Sequence, residues 1–129
     1  QLLQQGNQPC PFELTEIAII PSDRKILHLR IAERFDQMLE RGLIDEVINI
    51  RAMPGIDPGL PALKSVGYRQ VGNYLEGQCN FDEMRQRAIA ATRQLAKRQY
   101  TWLRSWPDLA VLDKANLAEV LKIVEAASI

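Results

Sequence analysis

Cysteine is scarce in this sequence and the two that occur are not close partners. Cys10 and Cys79 form no C-x-x-C unit and stand far apart, which argues against a zinc knuckle or a disulfide framework and fits a reducing, cytoplasmic setting. Histidine occurs once, at His28. With no Asp or Cys constellation beside it, it reads as a structural residue. No apolar run approaches the roughly 18 residues that a membrane span requires, so no membrane association is expected. The opening QLLQQGNQPC carries neither the basic nor the apolar block of a secretory signal. It also lacks an initiator Met, so the chain is expected to begin inside a longer protein. Excess charge of one sign is missing too: 16 basic and 16 acidic residues balance. Any affinity for nucleic acid must then reside in a local patch.

What is present is the composition of a soluble globular domain, or part of one: 129 residues, 47% hydrophobic and 25% charged. Residues 1–13 are polar and Gln-rich and read as the end of a linker, leaving 14–129 as the folded portion. LTEIAII (14–20) is a β-branched run that suits a strand, stopped by Pro21, with Ser22 as the expected N-cap of a first helix over 23–41. Gly42 supplies that helix's stop. A second helix is expected over 44–53 before the PGIDPG loop, and a third over 61–75, ending at Gly77. Asn80 with Glu83 forms a capping box for the longest helix, 81–105, which stops before Pro107. LAVLD (109–113) suits a short strand and 115–127 a terminal helix. The expected architecture is mainly α with one or two short strands.

Charge is uneven along the longest helix. TRQLAKRQYTWLRSW (92–106) packs Arg93, Lys97, Arg98 and Arg104 among Tyr100, Trp102 and Trp106, and 93–104 contains no carboxylate. At 100° per residue, Arg93, Lys97 and Arg104 fall within about 40° of one another, bordered by Tyr100 and Thr101. Ala88, Leu95, Ala96, Gln99 and Leu103 form the opposite, core-directed arc, with Trp102 at its edge. One reading is an amphipathic helix with a solvated basic side. The other is a surface for something anionic and flat, because cations track phosphates and rings stack on bases.

Two further positions stand out. The first helix carries an apolar stripe of Leu27, Ile31, Phe35 and Met38, with Arg34 at its margin. Desolvating a guanidinium is costly, so Arg34 either runs along the core to an acidic partner or grips an anion with its bidentate fork. Gly67 interrupts a helical pattern at a cost of about 1 kcal/mol relative to Ala, which calls for close helix packing or for the approach of another backbone.

Three blocks in order carry a family resemblance: RFDQMLERGLIDEV (34–47), LKSVGYRQVGNYLEG (63–77) and ATRQLAKRQYTWLRSW (91–106). Together they resemble the C-terminal portion of bacterial tRNA dimethylallyltransferases, also called tRNA isopentenyltransferases. The resemblance runs from about Thr15 to Asp113. It implies a P-loop-like, nucleotide-binding type of α/β enzyme with a helical insertion. Such an enzyme moves a dimethylallyl group from dimethylallyl diphosphate to the exocyclic amine of the adenosine 3′ of the tRNA anticodon. On that resemblance, Lys64, Ser65, Val66, Gly67, Tyr68 and Arg69 would contact the tRNA anticodon stem-loop. So would Arg93, Lys97, Arg98, Gln99, Tyr100, Thr101, Trp102, Leu103 and Arg104. Arg34, in an R-x-D-x-M-L pattern with Asp36, Met38 and Leu39, is a candidate diphosphate contact.

Departures from the family pattern are equally specific. The phosphate loop G-x-x-x-x-G-K-[ST] is absent, and so is the D-S-x-Q-x-Y segment that would carry the general base. The resemblance therefore implies a C-terminal piece with RNA-positioning surface, no catalytic residue of its own and no prenyl transfer alone. Mg2+ is expected on the diphosphate in the whole enzyme, with ligands mostly outside these residues. A monomer is the expected state. The rival is a stand-alone helical module binding nucleic acid or protein without catalysis. Coding sequence upstream of Gln1 separates the two: a phosphate loop within about 200 residues favours the enzyme, since that is a common span for one α/β domain.

Overall fold

Capping chemistry decides where the helices begin. In the computed structural model, which describes residues 11–57 and 59–127, the order is β1 (Ile17–Ile19), α1 (Arg24–Glu40), α2 (Leu43–Arg51), a 3₁₀ turn (Pro61–Lys64), α3 (Tyr68–Leu75), α4 (Phe81–Arg104), β2 (Ala110–Leu112) and α5 (Leu117–Ala127). The expected capping box forms: Glu83 N–H donates to Asn80 Oδ1 at 2.9 Å and Asn80 N–H to Glu83 Oε2 at 3.1 Å. At α1 the cap is Asp23 rather than Ser22, with Oδ1 accepting from Lys25 N–H at 2.8 Å. Ser22 is used elsewhere: its N–H donates to the Asp113 carboxylate, which ties the end of β1 to the end of β2. Gly42 turns at φ +95 between α1 and α2, a conformation glycine adopts without steric penalty.

The third helix departs from expectation. The span 61–75 is not continuous, because Ser65 is extended and Gly67 sits at φ +95, ψ −65 as the N-cap of α3. A Cβ added at Gly67 would meet nothing within 4 Å. Close helix packing is therefore not its reason, and the backbone turn is. The buried Gln70 side chain accepts from Gly67 N–H at 2.8 Å and fixes that turn.

Both strands are shorter than the sequence suggests. Three residues of each pair in parallel, Ile17 with Ala110, Ala18 with Val111 and Ile19 with Leu112. The crossover between them holds α1 to α4, as a parallel pair requires. Of the expected linker 1–13, residues 1–10 lie outside the described residues, and 11–13 adopt no helix or strand.

The core lies where four helices meet. Ile31 and Phe35 of α1, Leu43 and Val47 of α2, Val71 of α3, and Met84, Ala88 and Ile89 of α4 form one buried cluster. Leu27 and Met38 pack against its edge, so the α1 stripe faces inward as its spacing predicts. Outside the core, Arg85 Nε and Nη2 grip Asp36 Oδ1 and Oδ2 at 2.5 and 2.6 Å and staple α4 to α1.

That staple has a pH signature. The Arg85 guanidinium, through its hydrogen bonds first, holds the Asp36 carboxyl below the usual carboxylate range. A depressed carboxylate pKa stabilises the fold above its unfolded value, about 4, and the contribution disappears as pH falls through the folded value. Both side chains are more than a third exposed, so the pair is worth only about 0.5–1 kcal/mol. Asp36→Asn should lower urea stability by that amount near neutral pH, with the two proteins converging in acid. A gap that persists after both are acidified would mean that Asp36 acts through packing and not through its charge.

Candidate nucleic-acid interface

The residues singled out in the sequence fall on two surfaces and one isolated position. Lys64, Tyr68 and Arg69 line a cavity of about 80 Å3 together with Val47, Arg51, Leu63, Gly72, Asn73 and Glu76. Residues from both ends of the expected third helix meet there because the Gly67 turn folds the Pro61–Lys64 segment back beside α3. Ser65 Oγ donates to Ala62 O at 2.7 Å, Val66 is half-buried, and Gly67 is buried. Tyr68 donates its hydroxyl to Glu46 Oε1. That bond, followed by desolvation, raises the phenol's pKa and keeps it a proton donor.

Opposite Tyr68, Arg51 carries two contacts. Its Nη1 donates to Gly72 O at 3.3 Å and its Nη2 pairs with Glu76, whose other oxygen accepts from Gln78 Nε2 at 2.9 Å. Arg51 and Glu76 escaped the sequence reading. Each looks like an ordinary charge at a helix end, and they are brought together only by the packing of α2 against α3.

The second surface is the C-terminal half of α4. Arg93, Lys97, Arg98, Thr101 and Arg104 are exposed there, and among the described residues none of the four cations forms an ion pair. Thr101 Oγ1 donates back to Lys97 O at 3.0 Å. The packed side of the helix is rotated relative to its projection. Tyr100 borders the basic stripe on the helical wheel, yet it is half-buried and its hydroxyl lies 3.3 Å from Pro21 O. Leu95, assigned to the core arc, is 37% exposed. Met84 and Ala88 find neighbours on that flank of α4, but among the described residues no element covers it as far out as Leu95 and Trp102.

Gln99, Tyr100 and Leu103 line a mainly apolar hollow of about 130 Å3 with Ile19, Ile20, Pro21, Leu27 and Ala96. Trp102 is 62% exposed and meets Trp106 edge to face at 4.8 Å. Trp106 is anchored from below, its Nε1 donating to Glu16 Oε2 at 2.6 Å. An exposed indole braced by a second one and flanked by unpaired cations can stack a planar base while neighbouring charges meet its phosphates.

Arg34 stands apart, exposed on α1 and lining neither cavity. It forms no ion pair among the described residues, so the acidic partner that one reading required is not there. Nor do the described residues gather three His, Cys, Asp or Glu side chains that could hold a metal ion. No helix among them is long and apolar enough to cross a membrane.

Comparison with known proteins identifies the family. Residues 1–106 match the sequence profile of the family described as IPP transferase. The chain is similar in structure to a tRNA isopentenylpyrophosphate transferase from Bacillus halodurans, with a TM-score of 0.75 and 30% identity over 92% of this chain and 38% of that one. It is also similar to a tRNA delta(2)-isopentenylpyrophosphate transferase from Staphylococcus epidermidis, with a TM-score of 0.73 and 26% identity over 89% of this chain and 37% of that one. The chain thus spans well under half the length of these relatives. Over the matched portion, the mostly helical fold with two short parallel strands agrees with these structures.

Proposed function

Because the chain belongs to the IPP transferase family, we propose that it is the C-terminal part of an enzyme that prenylates tRNA. In this reading a dimethylallyl group passes from dimethylallyl diphosphate to the exocyclic amine of the adenosine 3′ of the anticodon. These residues supply the surface on which the anticodon stem-loop lies. The observation that carries the proposal is the run of four exposed, unpaired cations over 93–104 beside the exposed Trp102.

The division of roles follows from the side chains. Lys97, Arg93 and Arg104 track the RNA backbone from a rigid helix, and phosphate contacts of this kind set register and orientation. Trp102 offers a stacking face to an unpaired loop base. Lys64 on the 3₁₀ turn and Arg69 on α3 add positive charge on a second surface, and α3 packs against α4. Arg34 grips the diphosphate and helps to hold the charge that accumulates as it departs, so that the adenosine amine meets the allyl carbon in a fixed geometry. Magnesium on the diphosphate is expected from the family. Its ligands are expected mostly in other parts of the enzyme, and when bound it would help to neutralise the departing diphosphate. A cytoplasmic setting and a monomeric state belong to the same reading.

Lys97→Ala and Arg104→Ala in the full-length enzyme test the proposal. Each should weaken tRNA binding several-fold whatever the sequence, and lower the salt slope by about one counterion. Affinity for dimethylallyl diphosphate should barely move. Unchanged RNA affinity and salt slope in both variants would return this helix face to an ordinary solvated surface.

A further inference from the structure

The cavity between α2 and α3 is lined by three cations and one carboxylate. Arg51, Lys64 and Arg69 face Glu76, while Tyr68 is occupied by Glu46. Glu76 is an odd choice for its position. It caps the C-terminus of α3, where the helix dipole disfavours negative charge. What holds it there is Arg51 on one oxygen and Gln78 on the other. The pair is open to water, with 21% of the Arg51 side chain and 43% of the Glu76 side chain exposed, and ion pairs of this kind contribute little net stability and exchange readily. Arg51 itself is pre-aimed, because Nη1 is also tied to Gly72 O. A guanidinium fixed in this way presents its planar fork to one anion at a time.

We infer that this cavity is a phosphodiester site and that Glu76 is its built-in competitor. In the RNA-free protein the carboxylate occupies Arg51, and when RNA docks a backbone phosphate takes Arg51 over, with Lys64 and Arg69 at the mouth. The cavity volume suits a phosphate group better than a nucleobase. The exchange lowers the net gain per contact and leaves RNA affinity below what three cations could give, so the bound RNA can leave. The inference rests on the reading of this region as RNA-facing, and adds Arg51 and Glu76 to it.

The test uses the full-length enzyme and a tRNA anticodon stem-loop, with binding measured across a range of salt. Glu76→Gln keeps the size of the side chain and an oxygen for Arg51 while removing the charge. It should bind RNA roughly three- to tenfold more tightly at low salt, with a similar salt slope because the same phosphate is contacted in both proteins. Arg51→Lys keeps the charge but loses the fork. It should bind more weakly than wild type, and should cancel the gain when combined with Glu76→Gln. Melting temperatures of all three variants identify any change that comes from misfolding. If Glu76→Gln binds RNA no more tightly while Lys97→Ala and Arg104→Ala weaken it, the competitor role is wrong and the RNA surface on α4 stands. If all of these variants bind like wild type, the RNA reading fails and the exchange fails with it.

Discussion

Met84→Ala should destabilise the protein by about 2–5 kcal/mol, the range for truncating a fully buried Met to Ala. Met84 has no exposed surface and belongs to the one cluster that α1, α2, α3 and α4 share. Removing its thioether chain takes dispersion contacts from several helices at once and opens a cavity that the rigid α4 backbone cannot close. Domains of this kind have about 5–15 kcal/mol in total, so a large part of the folding free energy would go. The melting temperature should fall by roughly 2–8 °C for each kcal/mol. Met84→Leu is the control: nearly isosteric, it should cost less than about 1.5 kcal/mol. Urea titration of the three proteins decides the matter. An alanine variant within 1 kcal/mol of wild type would mean that the cluster is loosely packed and that the four helices are held together elsewhere.

The second large effect is expected at Arg34. In the intact enzyme, Arg34→Ala and Arg34→Lys should each weaken binding of dimethylallyl diphosphate by about 1.5–3 kcal/mol, the range for one charged hydrogen-bonding group. The lysine variant should fail nearly as badly as the alanine variant, because a point charge does not reproduce a two-point grip on a diphosphate. Stability should hardly change. The side chain is exposed and has no ion-pair partner among the described residues, so the fold without ligand gains little from it. Donor affinity and melting measured on the same two variants give opposite patterns for the two roles. Lower melting with intact donor affinity would remove Arg34 from the site.

Local chemistry was the legible part of this protein. The Asn80–Glu83 box, the Gly42 stop and the Leu27–Ile31–Phe35–Met38 stripe each depend on residues within about three turns of one another, and spacing alone recovers them. Gly67 was readable as an anomaly but not as a break, since the apolar period continues across it. Only its positive φ, fixed by Gln70, shows that the helix restarts there. The spacing put Tyr100 at the border of the basic stripe and could not show that it is half-buried, because a helical wheel has no information about which neighbours exist. Its direction is set by β1 and Pro21, some 79 positions earlier. The Arg51–Glu76 and Asp36–Arg85 pairs join residues 25 and 49 positions apart. Nothing in either local sequence distinguishes those four from other surface charges.

The long helix α4 is a span resting on two piers. One is the packed core around Met84, Ala88 and Ile89, and the other is the pair of contacts that Trp106 makes with Glu16 and Tyr100 with Pro21. The cations stand on the deck between and beyond these supports and bear none of the load. Lys97 and Arg104 are seven residues apart on that deck, about 10 Å along the axis, a distance fixed by the helix itself. On the proposed reading, RNA binding has only side chains left to order. On the proposed RNA-binding reading, loosening the far pier at Glu16 should detune RNA binding without removing a single positive charge.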